Sequence, residues 1–268
     1  MVKLRSKEEI EKIRVSAGIV AGTLELLRGL VRAGVTTRDL DAKAEEFIRD
    51  SGGEPSFLGY HGYPAATCIS INEEVVHGIP GDRVIRDGDI VGADVGVVKD
   101  GYHGDAASTF GVGEVSESVQ QLVRVTEECL HRAIEAFREG NRLGDVGHAV
   151  QSHAERHGYG VVRALVGHGI GEKMHEDPQV PNYGKPGTGL KLKPGLVCAI
   201  EPMITMGGWE VETLADQWTI VTRDRSMAAH FEHTVVLTEN GPEVLSVTNG
   251  KGTLGARATG TTPGRTER

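Results

Sequence analysis

The sequence predicts an α+β chain made of two pseudo-symmetric helix-helix-strand halves. Three observations lead there. Helical periodicity falls into two pairs of segments, residues of the first pair recur in the second at a fixed separation, and each copy runs on into a short apolar strand closed by a carboxylate.

Apolar residues keep three- and four-residue spacing from Lys7 to Val31, Thr37 to Asp50, Ser116 to Glu139 and Gly144 to His157, each followed by glycine-containing punctuation. Arg32, Gly34, Asp39 and Gly52 recur as Arg138, Gly140, Asp145 and Gly158, each 106 residues later. Two copies of so long a unit do not make a solenoid, so one intertwined catalytic domain over residues 1–248 is expected. Residues 249–268 are rich in Gly, Thr and Arg and nearly without apolar side chains, a composition that predicts a disordered tail.

The strands repeat too. Arg86-Asp87-Gly88-Asp89-Ile90-Val91-Gly92-Ala93-Asp94 aligns with Lys193-Pro194-Gly195-Leu196-Val197-Cys198-Ala199-Ile200-Glu201, a separation of 107. Both read as buried strands that begin after a turn and end at Asp94 and Glu201. An unpaired carboxylate in such a place costs on the order of several kcal/mol or stays protonated. A cation removes the conflict. With Asp105, His168 and Glu232 the candidates become four carboxylates and one imidazole, a donor set suited to two hard-to-borderline divalent ions, whereas a single structural zinc favours thiolates. The set points to a hydrolase with its site on the pseudo-twofold axis.

Composition narrows the rest. A net charge of −9 without a long basic run argues against specific nucleic acid as a partner, and 38% hydrophobic content supports a real core. No apolar stretch approaches the roughly 20 residues of a membrane span. Cys68, Cys129 and Cys198 are distant and odd in number, which predicts neither disulfides nor a zinc knuckle and fits a reducing, cytoplasmic setting. Cys68 and Cys198 read as core residues.

Two patterns are set aside. His153 and His157 form an i, i+4 pair, but Ala154 stands where the metalloprotease motif needs Glu, so the pair reads as a solvated helix face. Gly167, Gly169 and Gly171 look like a phosphate loop, yet the interleaved His168 and the lack of a following Lys-Ser or Lys-Thr argue against nucleotide. They read as places of close backbone approach to the metal site.

The segments Asp94-Val95-Gly96, Gly104-Asp105-Ala106-Ala107-Ser108-Thr109-Phe110, Gly167-His168-Gly169-Ile170-Gly171, Ala199-Ile200-Glu201-Pro202 and Phe231-Glu232-His233-Thr234 stand in an order that resembles type I methionine aminopeptidase. The resemblance runs from about Lys7 to Ser246 and includes Gly59-Tyr60-His61-Gly62-Tyr63-Pro64 and Asn72-Glu73-Glu74-Val75-Val76-His77-Gly78-Ile79-Pro80. It implies the pita-bread fold, in which the two halves surround a curved antiparallel sheet, in the short bacterial-type form without a Cys/His-rich extension.

By the same resemblance Asp94 chelates one divalent ion, His168 and Glu201 bind the other, and Asp105 and Glu232 bridge them, the ions being Fe(II), Mn(II), Co(II) or Zn(II). Glu201 moves the proton of the attacking water. His175 donates to the scissile carbonyl and His77 contacts the peptide beyond the cut. The pocket for methionine is implied at Phe57, Tyr60, Tyr63, Cys68, Met174 and Trp218 with His61 at its edge, Phe57 and Met174 standing where some members carry Cys and Phe. Some relatives hold a monovalent cation on backbone carbonyls matching Asn72 and Glu74, with the region of Ala228. The implied activity is excision of initiator methionine from nascent polypeptide N-termini by a monomer that meets them at the ribosome, with preference for a small second residue. Proline-directed peptidases of similar ligand set usually carry an extra N-terminal domain.

Overall fold

The computed structural model describes residues 2–248, and the segment expected to be a disordered tail lies outside the described residues. The first half runs α1 (Lys7–Leu30), α2 (Thr37–Asp50), β1 (Glu54–Pro55), β2 (Cys68–Ile71), β3 (Glu74–Val76), β4 (Ile90–Lys99) and β5 (Tyr102–Gly111). The second begins with α3 (Glu117–Ala136) and α4 (Leu143–Arg156) and continues through β6 (Gly160–Val161), β7 (Gly167–Gly169), β8 (Glu176–Val180), β9 (Val197–Ile200) and β10 (Met203–Thr205). It ends with β11 (Val211–Thr213), β12 (Ile220–Thr222), β13 (Ala228–His230), β14 (Glu232–Thr238) and β15 (Gly241–Val244).

The four helices lie where periodicity places them, and local chemistry explains their ends. Ser6 caps α1 by accepting from the Glu9 N–H, while Glu9 reaches back to the Ser6 N–H. The repeated aspartates do the same work in both halves: Asp39 accepts from the Thr36 N–H at the start of α2, and Asp145 from the Arg142 N–H at 2.7 Å at the start of α4. Gly34 and Gly140 turn the chain before these caps at φ of +90° and +94°, backbone that a side chain would strain. The sequence repeat is thus a repeat of caps and turns. On α1, Ile13, Ala17, Val20, Leu24 and Leu27 form the buried stripe, laid across β4 and β5.

The main sheet has nine antiparallel strands, with β1-β4-β5-β14-β9-β7-β8 as its path, β2 paired to β4 and β15 to β14. Its centre, β4-β5-β14-β9, shows the pseudo-symmetry directly: each half supplies an adjacent pair and the two pairs meet at β5 and β14. One reading of the sequence needs correction. Asp94 does not close its strand but sits in the middle of β4, because Val95 and Val97 continue the buried alternation to Lys99. Glu201 does follow directly on β9.

Helix and sheet meet closely at Gly104, where an added Cβ would lie 2.5 Å from the Ala17 backbone nitrogen. Gly104→Ala should therefore destabilise the chain by about 1–3 kcal/mol, as overpacking of a rigid contact does. Gly18→Ala on the same helix meets nothing within 4 Å and should be neutral or stabilising. Thermal denaturation of the two variants beside the parent checks the contrast.

Candidate metal centre and substrate pocket

The five candidate ligands come from five segments and converge on one cavity, whose walls include Asp94, Asp105, His168, Glu201 and Glu232. Strand register brings them together. Ala107 on β5 pairs with Asp94 on one side and Glu232 on the other, so a small side chain separates two carboxylates in a row across three strands. Asp105, two residues earlier on β5, shares their face. Thr234, two residues after Glu232, clasps the Asp105 backbone by accepting from its N–H at 3.0 Å and donating to its carbonyl at 2.8 Å. The Asn182 amide donates to the Glu201 carbonyl at 2.9 Å.

Asp105, His168 and Glu232 each present a ligand atom within 4.8 Å of the others. The His168 Nδ1–H donates to the Gly169 carbonyl at 3.0 Å, which leaves the Nε2 lone pair facing Glu201 Oε1 at 3.6 Å and Asp105 Oδ2 at 3.8 Å. Those separations are too long for hydrogen bonds and suit two atoms on a shared ion.

Burial raises all four carboxyl pKa values. Asp94 is pushed up to about 7 by burial, against a hydrogen bond with Asp105 that lowers it, and Asp105, Glu201 and Glu232 rise well above the ordinary range by burial first and then by neighbouring carboxylates. Burial, and after it His175, lowers His168 to about 3, so its ring stays neutral. Asp94 Oδ1, Asp105 Oδ1 and Glu232 Oε1 are buried with no hydrogen-bond partner. Orphaned oxygens beside a neutral imidazole are what divalent cations satisfy, so the residues fit the metal expected of them.

The expected pocket residues largely share that cavity. Phe57, Tyr60, Tyr63, Cys68, His77, His175 and Trp218 line it. Met174 belongs to the same apolar cluster as Phe57, and both press on Gly96 so closely that a Cβ there would sit 2.7 Å from the Phe57 ring and 3.0 Å from the Met174 methyl. His61 is exposed, packs edge-on against Tyr60 at 4.4 Å and is not part of the lining. The His175 Nδ1 is 2.7 Å from the Tyr60 hydroxyl, and its ring centroid is 4.2 Å from that of His168. His77 adopts φ +61°, a strained backbone for a non-glycine residue, with Trp218 edge-on at 6.4 Å and burial lowering its pKa to about 4.

Other expectations shift. Gly167 and Gly169 do permit close approach, but to neighbouring strands: a Cβ on Gly167 would lie 2.5 Å from the Ala199 carbonyl, and one on Gly169 would strike the Asp177 carbonyl. The Asn72 carbonyl already accepts from the Ala228 N–H at 2.9 Å, which joins two of the three segments of the expected monovalent site. Cys198 is buried in the core, and Cys68 is buried at the cavity wall.

Two residues escaped the sequence reading. His230 is buried, and its Nε2, without a partner, stands 3.9 Å from both Glu201 Oε2 and Glu232 Oε2. The period-two spacing of His230, Glu232 and Thr234 was the available signal. Arg5 is buried among Glu9, Glu172 and Glu176, tying the N-terminus to the loop that bears Met174 and His175. Nothing local in the sequence marks it.

Residues 11–239 match Metallopeptidase family M24. The chain belongs to that family. It is 50% identical over 247 residues to a methionine aminopeptidase of Clostridium perfringens, a match covering 92% of this M24 chain and 99% of that relative. It superposes on the crystal structure of methionine aminopeptidase from Thermotoga maritima with a TM-score of 0.91 at 48% identity, over 92% of this chain and 100% of the other. A prolidase from Pyrococcus furiosus shares the fold with a TM-score of 0.74 at 25% identity, over 91% of this chain and 65% of that one. The M24 architecture of these neighbours is the pita-bread fold, its antiparallel sheet curled into a half-barrel, as the resemblance implied.

The raised carboxyl pKa values set a pH prediction for metal-free protein. A folded pKa above the unfolded one means stability that is full below about pH 4 and falls as pH rises toward 7, where Asp94 ionises. The melting temperature of chelator-stripped protein should decline over that window, and saturating Mn(II) should restore it most at the upper end. Melting curves unaltered by Mn(II) at pH 7 would overturn the metal reading.

Proposed function

We propose that this M24 chain is a metal-dependent methionine aminopeptidase that removes initiator methionine from nascent proteins and peptides. One observation carries the reading: a single cavity joins four buried or half-buried carboxylates and a neutral imidazole to a wall of aromatic and sulfur-bearing side chains. The 50% identity to a named methionine aminopeptidase supports it.

Asp94 would hold one divalent ion, His168 and Glu201 the other, with Asp105 and Glu232 shared. Bound there, Fe(II), Mn(II), Co(II) or Zn(II) would lower the pKa of a water toward neutrality and polarise the scissile carbonyl. Glu201, beside the attacking water, takes its proton and passes it to the leaving amine. His175 serves the developing oxyanion. If the Tyr60 hydroxyl donates to Nδ1, the ring carries its proton on Nε2 as a donor, and desolvation with the neighbouring His61 lowers its pKa and keeps it neutral. His77 contacts the peptide beyond the cut. Phe57, Tyr60, Tyr63, Cys68, Met174 and Trp218 exclude water and suit the polarizable thioether of methionine, with His61 at the rim.

Among the described residues no helix is long and apolar enough to cross a membrane. We place the enzyme in the cytoplasm as one catalytic domain over residues 1–248, acting as a monomer on nascent N-termini at the ribosome.

Free methionine should be released from Met-Ala-Ser by stripped protein only after Mn(II) or Co(II) is added, and not from its N-acetylated form. Met-Lys peptides should turn over far more slowly. His175→Ala should lower kcat by about 100- to 1000-fold, and Glu232→Ala should abolish release. Silence on Met-Ala-Ser with turnover of an Xaa-Pro dipeptide would move the chain to the prolidase side of the family.

A further inference from the structure

The helix-face pair His153 and His157 is not simply solvated. His153 is buried, its ring centroid lies 4.9 Å from that of His157, and Glu128 of α3 reaches across to it. The His153 Nε2 is 2.7 Å from Glu128 Oε2, while its Nδ1 is buried without a partner. His157 is exposed and Glu128 half-buried, so the trio opens to solvent. One ligand atom from each of the three lies within 4.8 Å of the other two. The 2.7 Å contact is a hydrogen bond, and bonds of about 2.1 Å to a common ion would need the two atoms to part to about 3.0–3.4 Å, a movement open to the half-buried Glu128 side chain.

Pseudo-symmetry shows that helix packing does not require this trio. The 106-residue separation maps Glu128, His153 and His157 onto Gly22, Phe47 and Ser51. In the first half the same helix contact is made by Gly22 beneath the Phe47 ring, 3.1 Å from where a Cβ would stand. The second half replaces a small and an aromatic residue with a carboxylate and an imidazole, then sets a second imidazole one turn further along. Burial first, and then Arg132, lowers the His153 pKa against the pull of Glu128, which favours the neutral, ligating ring.

We propose that Glu128, His153 and His157 form a second metal site that takes a borderline divalent ion such as Ni(II), Zn(II) or Co(II), linking α3 to α4 away from the catalytic cavity. The ion would take the place of the proton now held between His153 Nε2 and Glu128 Oε2, the neutral ring carrying that proton on Nδ1 instead, with water completing the coordination. Imidazole nitrogens select such ions over Mg(II) and Ca(II), so the site discriminates by chemistry as well as by place. The inference stands independently of the peptidase reading.

The test is calorimetric titration of the chelator-stripped full chain with Ni(II) at pH 7.5, for the parent, His157→Ala and Glu128→Gln. The expected result is that one class of sites in the parent weakens at least 10-fold in both variants, while methionine release with Mn(II) stays within twofold of the parent. A direct reading needs no variant: Co(II) added beyond what the catalytic centre would take should broaden the amide resonances of residues 153–158 in the parent. Titrations of both variants that superpose on the parent's, or amides of 153–158 that stay sharp at saturating Co(II), would overturn the site. Absence of methionine release in the parent itself would leave the metal result standing and count only against the peptidase assignment, whereas loss confined to the variants would overturn a site independent of the catalytic centre.

Discussion

Four carboxyl groups crowded into one cavity are the constraint on which the rest of this structure depends. Burial raises all four pKa values, repulsion from neighbouring carboxylates raises those of Asp105, Glu201 and Glu232 further, and three of the oxygens find no hydrogen-bond donor in the protein. Alone, such a cluster opposes folding; with divalent cations, the same groups become an ordered set of anionic ligands. The fold spends its most rigid material there. Asp94 and Asp105 lie within the long paired strands β4 and β5, Glu232 opens β14 beside them, and Thr234 fastens Asp105 through its backbone.

The pocket follows from the same sheet. Gly96, directly opposite Asp105 in the β4–β5 ladder, leaves space that Phe57 and Met174 occupy, so the apolar wall stands against the strand that bears Asp94. His175 follows Met174 on a loop held by the buried Arg5 and three glutamates, and meets that wall at Tyr60. The apolar wall and the candidate metal centre therefore share supports, and a change in the packing of β4 is felt by both.

The duplication explains which parts were easy to read. Asp39 and Asp145 recur because each caps a helix, and Gly34 and Gly140 because each turn needs a positive φ. These are local demands that any copy of the unit must meet, so they stay visible in one sequence. The site ligands arise differently, as Asp94 and Glu201 occupy matching places in the two copies whereas Asp105, His168 and Glu232 have no such partner among the recurring residues. They became legible through the ordered resemblance to a known family. His230 escaped because a period-two spacing from one glutamate is common in any strand and marks a site only once β13 and β14 turn both side chains toward the cavity.

By itself, the sequence determined the helix pairs, their caps, the strands that bear Asp94 and Glu201, and the chemical type of the centre, because these rest on periodicity, backbone demands and side-chain chemistry within a few residues. Only the tertiary structure decided what distant segments do together: that Asp94 sits mid-strand, that Arg5 supports the His175 loop, that His61 stays outside the cavity and that Glu128 meets His153. Those outcomes depend on strand register and helix packing, which sum many weak contacts across the chain and leave no mark at any single position.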